Sequence, residues 1–388
     1  MKKKLFYLTL CTILGLISCN PQNKGINISK DGQYELNINP NYSQQIKLSD
    51  YFKQVKYISL QAIEESVFGA ISKIKFYKDR IFILDRSNAR ALLVFSQHGD
   101  FLFKLGKEGH GPGEFSYLWD FAINPMNDEI SLLDLSTNTL KIFDINGGFL
   151  KEKRLPSQTF YLDYLRSGTL LTFNHFDEQT DPYNLLFLDN KYNVQNKAFK
   201  NQVSNIMEGV TYPKSVFFEN GNLSYFIHPY TDTVFRIENN KIYTDFVFNF
   251  NGKDIPRNFF ANSEIKNLDE FISKNNLVRS LGDFYRIDST LFFSYIYNDD
   301  IKLGVADLTT NNVLTTSFVL DDLSNYFGFN GFIAAKSPNE LVSFVDIMNI
   351  LELKEMIKRE KVELPDHISS VIKDIDETSN VVLSVYQN

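Results

Sequence analysis

The apolar positions of this chain fall into short runs separated by turn residues, and the runs come in fours. Residues 71–76 form the first. After Lys78-Asp79 comes Arg80-Ile-Phe-Ile-Leu-Asp85, then Ala91-Leu-Leu-Val-Phe95, then residues 101–105 behind the turn Gly99-Asp100. Residues 120–123, 129–134, 140–143 and 149–153 repeat the set, with Gly147-Gly148 in place of Gly99-Asp100. The run-ending Asp85 and Asp134 are 49 residues apart, and Phe95 and Phe143 are 48 apart. Short apolar runs bounded by Gly, Asn and Asp read as strands. Four of them in a repeat of this length predict a propeller blade rather than a sandwich.

Later units keep the skeleton with less regularity. Residues 161–165, 169–175, 184–189 and 194–199 make a third, and 215–218, 223–228, 233–237 and 245–250 a fourth. Residues 284–287, 291–297, 303–307 and 315–320 make a fifth, and a sixth begins at 331–335 and 340–346 and resumes at 381–386. Residues 55–60 alternate like a strand and belong to no complete unit. They are expected to pair with 381–386 and close the ring, which removes two sheet edges. The expected fold is all-β: a six-bladed β-propeller of four-stranded antiparallel blades, sealed by its N- and C-terminal strands. Two insertions carry helical spacing: 262–277, with Ile265, Leu268, Phe271 and Ile272, capped by Asn262 or Ser263, and 347–375, where Pro365 starts a second stripe.

The N-terminus has a different character. Lys2, Lys3 and Lys4 precede a nearly uncharged run over 5–17, shorter than the roughly 20 residues of a spanning helix. Residues 1–18 therefore read as a signal peptide. Leu16-Ile17-Ser18-Cys19 resembles the bacterial lipoprotein box, which implies cleavage before Cys19 and acylation of its thiol. Residues 19–45, polar and rich in Asn, Gln and Ser, are expected to tether a propeller domain spanning 46–388. Cys11 lies in the removed segment, so the mature chain keeps only the acylated Cys19. That leaves no disulfide, no thiol nucleophile and no thiolate zinc site.

The blade rhythm, the lipobox and the connector Gly106-Lys-Glu-Gly-His-Gly-Pro-Gly-Glu-Phe115 together resemble the six-bladed β-propeller lipoproteins of Gram-negative bacteria, relatives of NHL-repeat and TolB-like propellers. The resemblance spans about 46–388 and is clearest in the first two units. It implies a fold and a place in the cell envelope, at the outer membrane with the face left open, and it implies no reaction.

Charge and motifs narrow the function further. The formal net charge is −7, and it becomes −10 once the three leader lysines are gone. Nucleic-acid binding needs clustered Lys and Arg, so it is not expected. There is no G-x-S-x-G elbow, P-loop, H-E-x-x-H or EF-hand spacing. Ser72-Lys-Ile-Lys75 and Ser263-Glu-Ile-Lys266 match S-x-x-K, but one sits in a strand and the other at a helix start, so both read as coincidence. The glycines of 106–115 are read as easing the crossing between blades.

In a propeller the ends of second strands and the crossings between blades share one face. Asp85, Asp134, His175, His228, Tyr297 and Asp346 end second strands, and His110 and Glu114 lie in the first crossing. They are the candidate ligand-binding residues of a polar mouth. The competing reading is local turn capping, a common role for Asp at such corners. A sharper alternative makes His175 and His228 ligands of a divalent metal such as zinc in a lyase or hydrolase. Otherwise no cofactor is expected. The 35 Phe and 20 Tyr are mostly core, while the lone Trp119 gives little for a glycan binder. The expected role is a binding or scaffold module, anchored to a membrane and engaging an unknown protein, peptide or glycan.

Overall fold

In the first unit the inner strand Lys73–Tyr77 pairs antiparallel with Arg80–Asp85, then Ala91–Ser96, then the outer strand Phe101–Leu105. A computed structural model describes residues 25–174, 181–200, 213–256, 267–324, 326–360 and 364–388 of the 388. Leu118–Asn124, Glu129–Asp134, Thr139–Asp144 and Phe149–Arg154 form the second blade. The third begins at Tyr161–Tyr164, the fourth at Phe217–Asn220, the fifth at Val278–Ile287 and the sixth at Ala334–Ser337. The result is a six-bladed β-propeller of four-stranded antiparallel sheets.

Why the second strands read as largely apolar runs follows from the geometry. Side chains of a strand alternate between its two faces, and a blade has a neighbour against each. Ile81 and Ile83 pack toward the sixth blade with Val342 and Leu383, while Phe82 and Leu84 pack toward the second with Phe121 and Ile130. All four are fully buried. The core is thus a series of layers between blades rather than one central mass.

The ring closes as expected. Gln54–Ser59 lies antiparallel to Val382–Gln387 as the outer strand of the sixth blade, in the register Leu383↔Ile58 and Val385↔Lys56. Just before the closing strand, Phe52 is 2% exposed and its ring lies 5.3 Å from that of Phe292, 5.5 Å from Phe332 and 5.7 Å from Tyr386.

The expected tether is different from residue 25 onward. Ile26–Ile28 and Tyr34–Asn37 form a hairpin that extends the fourth blade to six strands, with Tyr34–Asn37 parallel to its outer strand Lys241–Asn249. The polar composition hid an alternation in which Ile26, Leu36 and Ile38 turn inward, each at most 3% exposed, and Tyr34 stacks on Phe246. Ile46–Lys47 then pairs with Val319–Leu320. The helical insertions become α1, Leu268–Asn275, and the pair α2, Ile347–Glu360, and α3, Asp366–Ile372. The cap of α1 is Asn267, whose side chain accepts from the Glu270 N–H at 3.0 Å; Asn262 and Ser263 lie outside the described residues.

Candidate functional site

Strand polarity gives the propeller two unlike faces. Second strands end and blades cross on one, here the crossing face. The turns joining first to second strands gather on the other, the hairpin face. Asp85, Asp134 and Tyr297 do end second strands, and His228 and Asp346 follow them directly, so the expected register holds. His175 lies outside the described residues.

Their side chains, however, are engaged locally. Asp85 is fully buried and accepts from the N–H groups of Gly69, Ser87, Asn88 and Ala89. Burial alone would push its carboxyl up, but these donors hold it down at about 2. Asp134 accepts from Ser116, Tyr117 and Ser136 in the same way. Each aspartate stitches its own turn to the chain that crosses in from the preceding blade. Tyr297 donates to Asn41 at 2.9 Å, and Asp346 caps α2 through the Met348 N–H. His228 is buried among Phe173, Phe199 and Phe226, with Nδ1 3.0 Å from Pro229 O and Nε2 3.2 Å from Asn184 Oδ1. Burial lowers it to about 4, so it is a neutral core imidazole at neutral pH.

In the first crossing, His110 is exposed, and Glu114 pairs with Lys107 at 2.7 Å and accepts from the Gly111 N–H. The glycines there are structural: at Gly106, φ +140°, a Cβ would stand 2.7 Å from Ala91 Cα. Among the described residues no three His, Cys, Asp or Glu side chains gather as metal ligands would. Of the expected mouth residues, Asp85 and Asp134 anchor turns, Asp346 caps a helix and His228 belongs to the core. The single Trp119 is likewise occupied, with the Arg86 guanidinium 4.5 Å from its ring centroid.

The charge that sequence reasoning missed lies in the central channel. Each blade contributes at least one charged side chain from its innermost strand: Lys73 and Lys75, Asp120, Asp163, Glu219, Asp283 and Lys336. The available signal was a lone charge inside an apolar strand, as in Leu118-Trp-Asp-Phe, Tyr161-Leu-Asp-Tyr and Phe217-Phe-Glu-Asn. Lys73 Nζ reaches both oxygens of Asp120, at 2.9 and 3.1 Å, and the carbonyls of Phe121 and Leu162. Asp120 in turn accepts from the Leu162 N–H at 2.9 Å, so one ion pair binds three blades together. Burial lowers the Lys73 pKa in spite of that carboxylate.

Lys75 lies 2.5 Å from Asp163 and 3.5 Å from Glu219. Burial pulls its pKa down, and the two acids more than restore it, leaving it above the usual lysine value. Glu219 is enclosed by the channel wall while 53% of its side chain stays open to the channel's water. Enclosure raises its pKa against the pull of Lys75.

The channel is narrow, about 100 Å³, where Ser72, Lys73, Asp283 and Tyr285 meet. It widens toward the hairpin face into a cavity of about 450 Å³ lined by Lys75, Arg166, Glu219, Asn222, Ser224 and Lys336. Turns of blades one, two, three, four and six frame this opening, on the side opposite to the expected mouth. A second cavity of about 450 Å³ opens on the crossing face beside Tyr230, Arg279 and Ile301. Ser72 of the S-x-x-K match accepts from the Arg86 N–H, and Lys75 is bound to its acids, so no nucleophile-and-base pair forms there.

Asp283 supplies a test of the channel's electrostatics. Burial, partly offset by Lys214, pushes its carboxyl up to about 6. The folded chain then holds a proton that the unfolded chain has released, so this group's contribution to stability falls as pH rises from about 4 to about 6 and stays low above. Asp283→Asn is expected to raise the urea midpoint near neutral pH, with the gain shrinking toward about pH 4. Equal midpoints at neutral pH would show the carboxylate to be fully compensated.

Comparison with known proteins gives a family and a fold. An inferred exported protein from Bacteroides fragilis NCTC 9343, solved by crystallography, is 20% identical with a TM-score of 0.73, covering 91% of this chain and 99% of that one. A DUF4221 family member from Bacteroides vulgatus ATCC 8482 is 11% identical with a TM-score of 0.50, covering 87% and 98%. Virginiamycin B lyase from Staphylococcus aureus, 13% identical, covers 75% and 82% at a TM-score of only 0.44. No curated protein matches the chain. The sequence profile of DUF4934, a domain of unknown function, matches residues 33–387, which takes in all six blades and the closing strand, and the chain belongs to that family.

Proposed function

We propose that this chain is a lipid-anchored binding module of the cell envelope: residues 1–18 direct export, Cys19 carries the acyl groups, and the propeller holds a polar ligand at the hairpin-face end of its channel. One observation carries the ligand site. Inner-strand charges of both signs lead into a cavity of about 450 Å³ whose rim carries Arg166 and Lys336 and whose floor carries the half-open Glu219. Its volume is in the range of roughly 300–1,000 Å³ usual for small-molecule sites. Fixed charges of both signs suit a ligand bearing its own charges, such as a peptide end or an acidic sugar, over an apolar one. The export of the Bacteroides fragilis neighbour, as described, agrees with the compartment that the leader and lipobox imply. Among the described residues no geometry favours a metal-dependent lyase or hydrolase over this reading.

Two measurements test it. Cys19→Ala is expected to shift the protein from the membrane fraction, and unchanged retention there would remove the anchor. Protein extracted from the envelope in mild detergent is expected to carry a small molecule in native mass spectrometry, depleted about tenfold in an Arg166→Ala, Glu219→Gln double variant. A bare wild-type protein, or a ligand equally retained by the variant, would remove the channel site.

A further inference from the structure

The position at which the chain enters the fold constrains how the propeller meets a membrane. Gly25 lies against the outer strand of the fifth blade, Asn312–Thr316. Its N–H donates to Asn311 O at 3.0 Å, and a Cβ on it would stand 2.8 Å from Val313 Cγ2. Only residues 20–24 separate Gly25 from Cys19. Six extended steps of chain span about 20 Å at most, so an acylated Cys19 keeps the bilayer surface within that distance of this strand.

The same strand leads to an exposed apolar cluster. Phe318 is 69% exposed, Ile301 61% and Tyr42 52%. The ladder ends at Leu303↔Thr316, and beyond it Lys302 Nζ donates to Ser317 Oγ at 2.5 Å, which brings the chain neighbours Ile301 and Phe318 to the same edge. Tyr42 is held beside them: its carbonyl accepts from Thr315 Oγ1 at 3.1 Å, and the Ser43 and Thr316 hydroxyls are 3.2 Å apart. Val313 and Phe318 are five residues apart, at most about 17 Å. The nearby Lys302 and Asp300 pair at 2.9 Å.

We infer that Tyr42, Ile301 and Phe318 form a membrane-docking surface that dips into the headgroup region of the bilayer holding the anchor. The inference rests on the lipid-anchor reading of Cys19. Aromatic and aliphatic side chains on a rigid edge are suited to the interface, where apolar bodies leave water. Docking there turns a one-point attachment into a fixed orientation, with the fifth blade toward lipid and the second, across the ring, facing away.

The test uses full-length acylated protein in vesicles of phosphatidylethanolamine and phosphatidylglycerol doped with brominated phosphatidylcholine. Phe318→Trp is compared with Met126→Trp, a site on the second blade that is 66% exposed. Both are surface positions, so neither variant threatens the fold. Flotation of the wild-type protein with the vesicles, lost in Cys19→Ala, checks the anchor on its own. Both variants are made in a Trp119→Phe background so that the introduced indole alone emits. The expected result is about two- to threefold quenching for F318W by the brominated lipid and little for M126W. Flotation without selective quenching of F318W would overturn the docking surface and leave the anchor standing. Dimers in detergent that dissociate on Ile301→Ser, Phe318→Ser substitution, with F318W unquenched, would assign the cluster to a second copy and also overturn it.

Discussion

Replacing Asp120 with alanine is expected to destabilise the propeller by about 3–5 kcal/mol, the usual cost of removing one partner from a buried ion pair. Asp120 is fully buried and Lys73 is 9% exposed, so the stranded ammonium gains little water in exchange. The Leu162 N–H loses its acceptor at the same time. Because the pair joins the first, second and third blades, the loss is felt at two blade interfaces rather than one. Burial already lowers the Lys73 pKa with the carboxylate in place. Without it the folded chain resists that proton further, so the deficit of Asp120→Ala should be larger at neutral pH and shrink under alkaline conditions as Lys73 becomes neutral in both states. A Lys73→Met, Asp120→Leu double variant should recover most of the loss, since no charge is then left unpaired. Urea unfolding curves of the three proteins check this. A single variant within about 1 kcal/mol of wild type would mean that water reaches the pair after all.

The second large effect is expected at the seam. Phe52→Ala should cost about 3–5 kcal/mol, the range for emptying a buried phenylalanine site. Its ring contacts the fifth blade through Phe292 and the sixth through Tyr386, with Phe332 between them. Removing it loosens the chain where it enters the closing strand Gln54–Ser59, which pairs with Val382–Gln387. Hydrogen exchange should therefore show protection lost first in those two segments, with the second and third blades little changed. Uniform loss across all blades would show that the ring opens as one unit and that Phe52 is merely one core residue among many.

How legible this fold was depended on how regular each unit is. In the first two blades, expected second strands 80–85 and 129–134 match Arg80–Asp85 and Glu129–Asp134 at both ends, because burial on two faces leaves a largely apolar run between turns. The seam was legible for a related reason: an orphan strand near one end and an incomplete unit near the other leave one pairing to make. The hairpin over 26–37 was not, since a strand at a blade's outer edge needs only one buried face and its Asn, Glu and Gln read as linker.

The candidate site was legible in position and not in use. Asp85 and Asp134 stand where expected, but a residue's place at a strand end does not reveal whether its carboxylate faces the opening or its own turn. His228 shows the same ambiguity, since an imidazole at a strand end serves a core as readily as a mouth. The channel charges were harder still. Asp120, Asp163 and Glu219 each interrupt an apolar strand, which in one sequence looks like noise. They gain meaning only when six inner strands are brought around one axis.

The closing ladder has a consequence for biogenesis. Gln54 and Gln387, whose side chains hydrogen-bond at 2.8 Å, are 333 positions apart. In a chain delivered N-terminus first, residues 54–59 emerge long before their partners, and five blades can assemble while that segment waits with its backbone donors unanswered. Contacts of such long range form late and slowly, and an unsatisfied strand in transit invites pairing with the wrong neighbour. Shielding of this one stretch, rather than help with any blade, is the assistance that such a topology requires.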